Sequence, residues 1–229
     1  MTNNSDIVAI VPAAGIGCRM ESQLPKQYLK IGAMTILEHT LQKLLTHSKI
    51  SEVVVVINKE DKLFSTLDVA SKVKVTYGGE TRADSVLAGL NLVAENKWAL
   101  VHDAARPCVT HQDITKLINR VLQEDKGGIL AMPLSDTIKQ ADTNNPDTIN
   151  HSVDRTYLWG AATPQLFNAG ELKACLNRAL TNHVAITDEA SAIEYCGGHP
   201  LLVECRRDNI KITCPEDLNL ATYYLTNQI

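Results

Sequence analysis

The stretch Ile7-Val-Ala-Ile-Val-Pro12-Ala-Ala-Gly-Ile-Gly-Cys-Arg-Met20 sets the frame for the rest of the chain. Ile7 to Val11 is a short apolar run rich in β-branched residues, the pattern of a strand buried on both faces of a sheet. After it come Ala13, Ala14, Gly15 and Gly17, small residues that let backbone N–H groups approach a ligand closely. Such nests suit phosphate oxygens. Two familiar phosphate loops do not fit. A dinucleotide fingerprint needs a third glycine where Met20 stands, and G-x-x-x-x-G-K-[ST] is absent. From residue 12 to 30 the cations Arg19, Lys26 and Lys30 face only Glu21, a local +2 in a chain of net charge −4. A planar Arg fork and mobile Lys charges beside a nest would suit a triphosphate. The first βα loop of an open α/β sheet also lies at the edge where ligands bind.

Working outward, apolar runs alternate with helix-period segments, the sign of βαβ units and a mostly parallel sheet. Strands are expected at Glu52–Ile57, Val73–Tyr77, Trp98–His102 and Ile129–Pro133, then at Leu201–Cys205 and Asn209–Ile212. Leu37, Leu41, Leu44 and Leu45 form one helical stripe. Further helices are expected over Arg82–Glu95, from Thr110 with Asp113 as a capping pair, over Leu172–Leu180, over Thr187–Cys196 ended by Gly197-Gly198, and from Thr213-Cys-Pro-Glu216. Between them, 135 to 155 is polar, with weak strand pieces Thr137–Lys139 and Thr148–Ile149 around the turn Asn144-Asn-Pro146. A two-stranded arm is marginal alone and needs a surface to pack on. Residues 135–158 are therefore expected to reach a second subunit.

The 229 residues are 45% hydrophobic and 21% charged, an ordinary globular composition that permits one domain. A net charge of −4 supplies no general cation excess for nucleic-acid backbones. The longest apolar run, Ile7 to Ala14, is far shorter than a membrane helix, and Met1 to Asp6 has no basic n-region. The six cysteines are scattered and form no C-x-x-C, so free thiols in a cytoplasmic protein are expected rather than a zinc or redox site. Trp98 and Trp159 are expected as core or interface anchors, and His102 as a hydrogen-bonded strand-end histidine rather than a base.

Several stretches in order carry a resemblance: Pro12-Ala-Ala-Gly-x-Gly-x-Arg-Met20, Pro25-Lys26-Gln-Tyr28, Gly78-Gly-Glu-Thr-Arg82-Ala-Asp-Ser85, Val101-His-Asp103-Ala-Ala-Arg106-Pro107, Val153-Asp-Arg155, Thr163-Pro-Gln165, Thr187-Asp-Glu-Ala190 and Asp208-Asn-Ile-Lys211. Together they resemble the 2-C-methyl-D-erythritol 4-phosphate cytidylyltransferases of the non-mevalonate isoprenoid pathway. The resemblance implies a three-layer αβα, Rossmann-like nucleotidyltransferase domain over 1–229, with 135–158 as a dimerisation arm. It also implies a Mg²⁺-dependent transfer of CMP from CTP to a polyol phosphate, releasing pyrophosphate.

By the same resemblance, Arg19, Lys26, Lys211 and Arg155 are the expected catalytic cations. Nucleotide binding falls to Pro12, Ala13, Ala14, Gly15, Gly17, Gly79, Arg82, Ser85 and Ala104. Acceptor binding falls to Asp103, Arg106, Thr137, Thr163, Thr187 and Lys211, with Thr137 and Arg155 entering the neighbouring subunit's site. Asp103 and Asp208 are the expected Mg²⁺ contacts. A ribitol 5-phosphate cytidylyltransferase would keep the same nucleotide half. A silent nucleotide-binding scaffold would be expected to lack Arg19, Lys26 or Asp103, and a nicotinamide oxidoreductase fails on the missing glycine.

Overall fold

The computed structural model of the chain describes residues 6–15 and 24–227. Its elements run β1 (Ile7–Pro12), β2 (Lys30–Ile31), β3 (Met34–Thr35), α1 (Ile36–Leu45), β4 (Ile50–Ile57), β5 (Lys74–Tyr77), α2 (Arg82–Leu90), β6 (Trp98–Val101) and α3 (His111–Glu124). They continue with β7 (Gly128–Pro133), β8 (Ile138–Ala141), β9 (Ile149–Val153), β10 (Trp159–Asn168), α4 (Ala169–Thr181), α5 (Glu189–Tyr195), β11 (Leu201–Glu204) and α6 (Pro215–Asn227).

Seven strands form the central sheet in the order β11-β7-β10-β6-β1-β4-β5. β1 pairs in parallel with β4 and β6, β4 with β5, and β7 with β11; only β10 runs antiparallel, between β6 and β7. Strand alternation divides the core. Ile7, Ala9 and Val11 of β1 face one cluster with the α1 leucines and the α3 stripe Ile114, Leu117, Ile118 and Val121. Val8 and Ile10 face the other, with Val86 and Leu90 of α2, Leu172 and Leu176 of α4, and Ile193 of α5. Both faces are covered, so β1 and β4 read as unbroken apolar runs. The three-layer α/β architecture expected from the sequence is present.

Helix ends are fixed by side chains. Thr35 with Glu38 and Thr81 with Asp84 form capping boxes on α1 and α2, and Thr110 accepts from the Asp113 N–H on α3. Thr213 pairs with Asp217 rather than Glu216 ahead of Pro215. The turn after α5 places Gly197 at φ 85°, the left-handed conformation expected at a helix C-terminus.

Some boundaries differ from expectation. Residues 209–212 form no strand: the Arg106 Nη1–H donates to Asn209 O at 2.7 Å, and the Ile212 N–H to Ala105 O at 2.9 Å, tying the segment to the loop after β6. The ten-residue β10 was not expected as a strand, because Thr163-Pro164-Gln165 breaks its apolar pattern and Pro164 donates no ladder bond. Helix α5 starts after Asp188, whose carboxylate accepts from the Ser191 N–H. Helix α2 ends at Leu90, before the expected Glu95. Of the 135–158 segment, β8 and β9 pair antiparallel as a separate two-stranded sheet, Ile138 opposite Val153.

Gly127, just before β7, leaves room for the buried Phe167 ring: an added Cβ would lie 2.1 Å from Phe167 Cδ1. Gly127→Ala should lower unfolding free energy by about 1–3 kcal/mol through overpacking, read from urea midpoints at unchanged slope.

Candidate active site

The sheet changes direction of growth between β1 and β6, and the loops after these strands open a crevice at their C-terminal ends. This is where ligands bind in open α/β sheets. A cleft of about 210 Å³ lies there, lined by Pro12 to Gly15 after β1, Gly79 to Arg82 after β5, Asp103 to Ala105 after β6, and Lys26, Ser85 and Lys211. The two glycine-bearing turns touch each other. A Cβ on Gly78 would lie 2.6 Å from Ala14 Cβ and 2.5 Å from Ser85 Oγ, so a larger residue would push the turns apart. Ser85 donates its hydroxyl to Thr81 O at 3.0 Å. A carbonyl can only accept, so toward the cleft Ser85 Oγ offers lone pairs alone.

At the centre is the Asp103 carboxylate, 7% exposed and met by three cations. Arg82 Nε and Nη2 lie 3.1 Å from Oδ1, Arg106 Nε 3.4 Å and Lys211 Nζ 3.0 Å from Oδ2. Burial alone would raise the carboxyl pKa, but Arg82, Lys211 and Arg106 outweigh it and hold Asp103 well below the ordinary carboxylate range. Arg82 continues to Glu189, the first residue of α5, with contacts of 2.6 Å and 3.1 Å to its two carboxylate oxygens. Glu189 is 1% exposed, and burial pushes its carboxyl upward against the pull of Arg82. Most of the Arg82 fork is thus spent on two carboxylates, bridging the loop after β6 to α5.

Beneath the carboxylate lies a directional hydrogen-bond chain. The Asp103 N–H donates to Thr163 Oγ1 at 3.0 Å, and Thr163 Oγ1 lies 2.9 Å from His102 Nδ1. His102 Nε2 lies 3.1 Å from the Arg106 carbonyl, which can only accept. With the ring fully buried and its pKa lowered to about 4 by desolvation, the neutral Nε2–H tautomer follows, and Thr163 donates to Nδ1. Asn209 closes the cage, donating from Nδ2 to Thr163 O at 2.9 Å.

Of the expected site residues, Pro12, Ala13, Ala14, Gly15, Lys26, Gly79, Arg82, Ser85, Asp103, Ala104 and Lys211 line this cleft. Arg106 and Thr163 are buried directly behind Asp103. Thr137, Arg155 and Thr187 are exposed and do not line it; Arg155 Nη1 donates to Ser135 O within its own segment. Asp208 is not part of the cleft lining either: its carboxylate is held by Arg206, with Nη2 at 2.7 Å. Gly17 and Arg19 lie outside the described residues. Sequence reading missed Glu189, Gln165 and Asn209. Gln165 donates to Asp188 Oδ2 and accepts from the Ala190 N–H, both at 2.9 Å, pinning the start of α5. All three sit inside the quoted motifs, but only the fold places them behind the cleft.

The buried neutral His102 makes stability pH-dependent. The unfolded chain takes up a proton near pH 6.5 and the folded one only near 4, so stability present above 6.5 is lost as pH falls across that window. Urea denaturation should show a loss of about 3 kcal/mol attributable to this ring, and His102→Gln should flatten that part of the profile. An unchanged profile would contradict the assignment.

The sequence profile of the 2-C-methyl-D-erythritol 4-phosphate cytidylyltransferase family matches residues 7–227. The protein of that name from Serratia proteamaculans is 53% identical over 222 residues, covering 96% of this chain and 94% of its own. The one from Pectobacterium atrosepticum is 54% identical over 228 residues, covering 96% and 95%. Among solved structures, the Francisella tularensis enzyme of that name superposes with TM-score 0.82 at 37% identity, covering 96% of this chain and 100% of that one. With the profile spanning nearly the whole chain and relatives above half identity, this chain belongs to the 2-C-methyl-D-erythritol 4-phosphate cytidylyltransferase family.

Proposed function

We propose that the cleft transfers CMP from CTP to 2-C-methyl-D-erythritol 4-phosphate, giving 4-diphosphocytidyl-2-C-methyl-D-erythritol and pyrophosphate. The observation that carries this reading, in a chain of this family, is the convergence of Lys26, Arg82, Arg106 and Lys211 around a glycine-lined cleft whose histidine is buried and neutral. A phosphate monoester oxygen is already ionised at neutral pH and needs no base. Its oxygen attacks the α-phosphorus of CTP, and the bond from that phosphorus to the bridging oxygen breaks as pyrophosphate leaves. The obstacle is repulsion between two anions, so positioning and cationic stabilisation carry the catalysis.

Lys26 faces the reacting phosphate in this reading, and Lys211 the acceptor; Arg19 is assigned a role beside Lys26 by the family resemblance alone. Lys26 Nζ is held 3.1 Å from Ile212 O, next to Lys211 in the chain, which supports a shared role. Ser85 Oγ, confined to accepting, suits the exocyclic amine of cytosine and disfavours the carbonyl of uracil.

Mg²⁺ fits on one condition. Both carboxylate oxygens of Asp103 are met by cations, and Lys211, its most exposed partner, would have to give way to release an oxygen. Among the described residues no group of three His, Cys, Asp or Glu could hold a metal, so the cation would come on the triphosphate with Asp103 as its protein oxygen. Bound there, it would neutralise developing phosphate charge. Asp208, spent on Arg206, is the weaker candidate.

The hairpin of β8 and β9 supports the homodimer reading. Tyr157 beside it is 88% exposed and Ile149 on it 64%, while Thr137 and Arg155 do not line their own cleft; a second copy of the chain would use all four. Among the described residues Cys108, Cys175, Cys196, Cys205 and Cys214 form no disulfide, as suits the reducing cytoplasm, and no helix is long and apolar enough to cross a membrane.

The deciding experiment crosses four nucleoside triphosphates with the 4-phosphate of methylerythritol and ribitol 5-phosphate, reading pyrophosphate release. CTP with the former should lead, and preference for ribitol 5-phosphate would overturn the acceptor. Lys211→Ala should lower kcat by roughly 10²–10³-fold in the same assay. Ser85→Ala should narrow the CTP-over-UTP preference by about tenfold in kcat/KM.

A further inference from the structure

The Gln27 amide is buried and unused by the mechanism above, yet it makes two contacts with the nucleotide loop. Its Nε2 donates to Ala13 O at 2.9 Å and to Gly15 O at 3.2 Å, and the residue is 5% exposed. Two carbonyls can only accept, so the orientation of this amide is fixed by chemistry: Nε2 faces the loop.

Ala13 is then held at both of its backbone polar groups. The Ala13 N–H is taken by Val56 O at 2.7 Å, at the end of β4, and the Ala13 carbonyl by Gln27. In a planar trans peptide the N–H points opposite to the C=O. Fixing the Ala13 carbonyl therefore aims the Ala14 N–H away from Gln27. The anchor itself is rigid. Gln27 lies in the single helical turn Lys26–Tyr28, and the buried Tyr28 hydroxyl donates to Asp61, whose carboxylate also accepts from the Leu63 and Phe64 N–H groups at 2.9 and 3.1 Å.

We propose that Gln27 is a positioning residue for the nucleotide: its amide holds the carbonyls of Ala13 and Gly15 so that the loop keeps its N–H groups aimed for the bound triphosphate nucleotide. Gln27 does not touch the reacting atoms. The same turn also carries Lys26, so one short segment sets both a cation and the backbone beside it. The proposal rests on CTP occupying this loop.

Gln27→Met keeps the length and apolar volume of the side chain and removes both donated bonds. Calorimetric titration of CTP and steady-state kinetics with each substrate varied separate the outcomes. The Kd and KM for CTP should rise about tenfold, the acceptor KM should stay within about twofold, and the thermal transition should be retained. Unchanged CTP affinity, or equal losses for both substrates, would overturn the positioning role. Gln27→Thr, whose hydroxyl is too short to reach the two carbonyls and which adds no bulk, is read by the same criteria should Gln27→Met fail to fold. Absence of CTP binding to the unmodified protein would instead overturn the nucleotide reading itself.

Discussion

Asp103 is a buried carboxylate that stays ionised only because Arg82, Arg106 and Lys211 surround it. Taking one ion of such a cluster out of water costs several kcal/mol, and geometry has to repay it. Here the repayment reaches across the fold. Arg82 stands at the start of α2, Glu189 at the start of α5, Arg106 in the turn after β6, and Lys211 in the segment before α6. Arg82, Arg106 and Lys211 meet on the Asp103 carboxylate, and Glu189 holds Arg82 from its other side, so Arg82 and Arg106 cannot drift independently. The hydrogen-bond chain through Thr163 and His102 fixes the Asp103 backbone from below, completing the support.

That arrangement explains what kind of chemistry the cleft can host. Mobile cations on long side chains lose entropy when a substrate orders them. Cations already clamped to a carboxylate have lost it in advance, and their field is present before two phosphates approach one another. Lys211, the most exposed of the Asp103 partners, keeps the freedom to exchange its carboxylate for a phosphate. Preorganised charge of this sort stabilises a transition state without a proton-transfer group. The neutral, internally bonded His102 agrees: its role is structural support for the loop.

Much of this was legible in the chain. Val53 to Ile57 and Ile7 to Val11 read as doubly buried strands because both faces of the sheet are covered, and periodicity reports burial. The small residues after β1 and the local cations marked the loop. β10 escaped because its function competes with its pattern: Thr163 and Gln165 serve the cage behind Asp103 and the start of α5, and Pro164 breaks the ladder. Residues 209–212 carry the apolar alternation of a strand, yet they bond to the loop after β6 rather than to a neighbouring strand. Glu189 could not be found by pattern. A glutamate at a helix start reads as a surface residue favoured by the helix dipole, and only the fold, which brings the starts of α5 and α2 together, buries it on Arg82.

The most direct measurement of the central claim is pyrophosphate release from CTP and the methylerythritol phosphate by Asp103→Asn, at saturating substrates, with the fold checked by circular dichroism. The amide keeps the shape and removes the charge that organises Arg82, Arg106 and Lys211. The account predicts a folded protein with kcat lowered roughly 10²–10³-fold. A folded Asp103→Asn protein that turns over at the unmodified rate would contradict it.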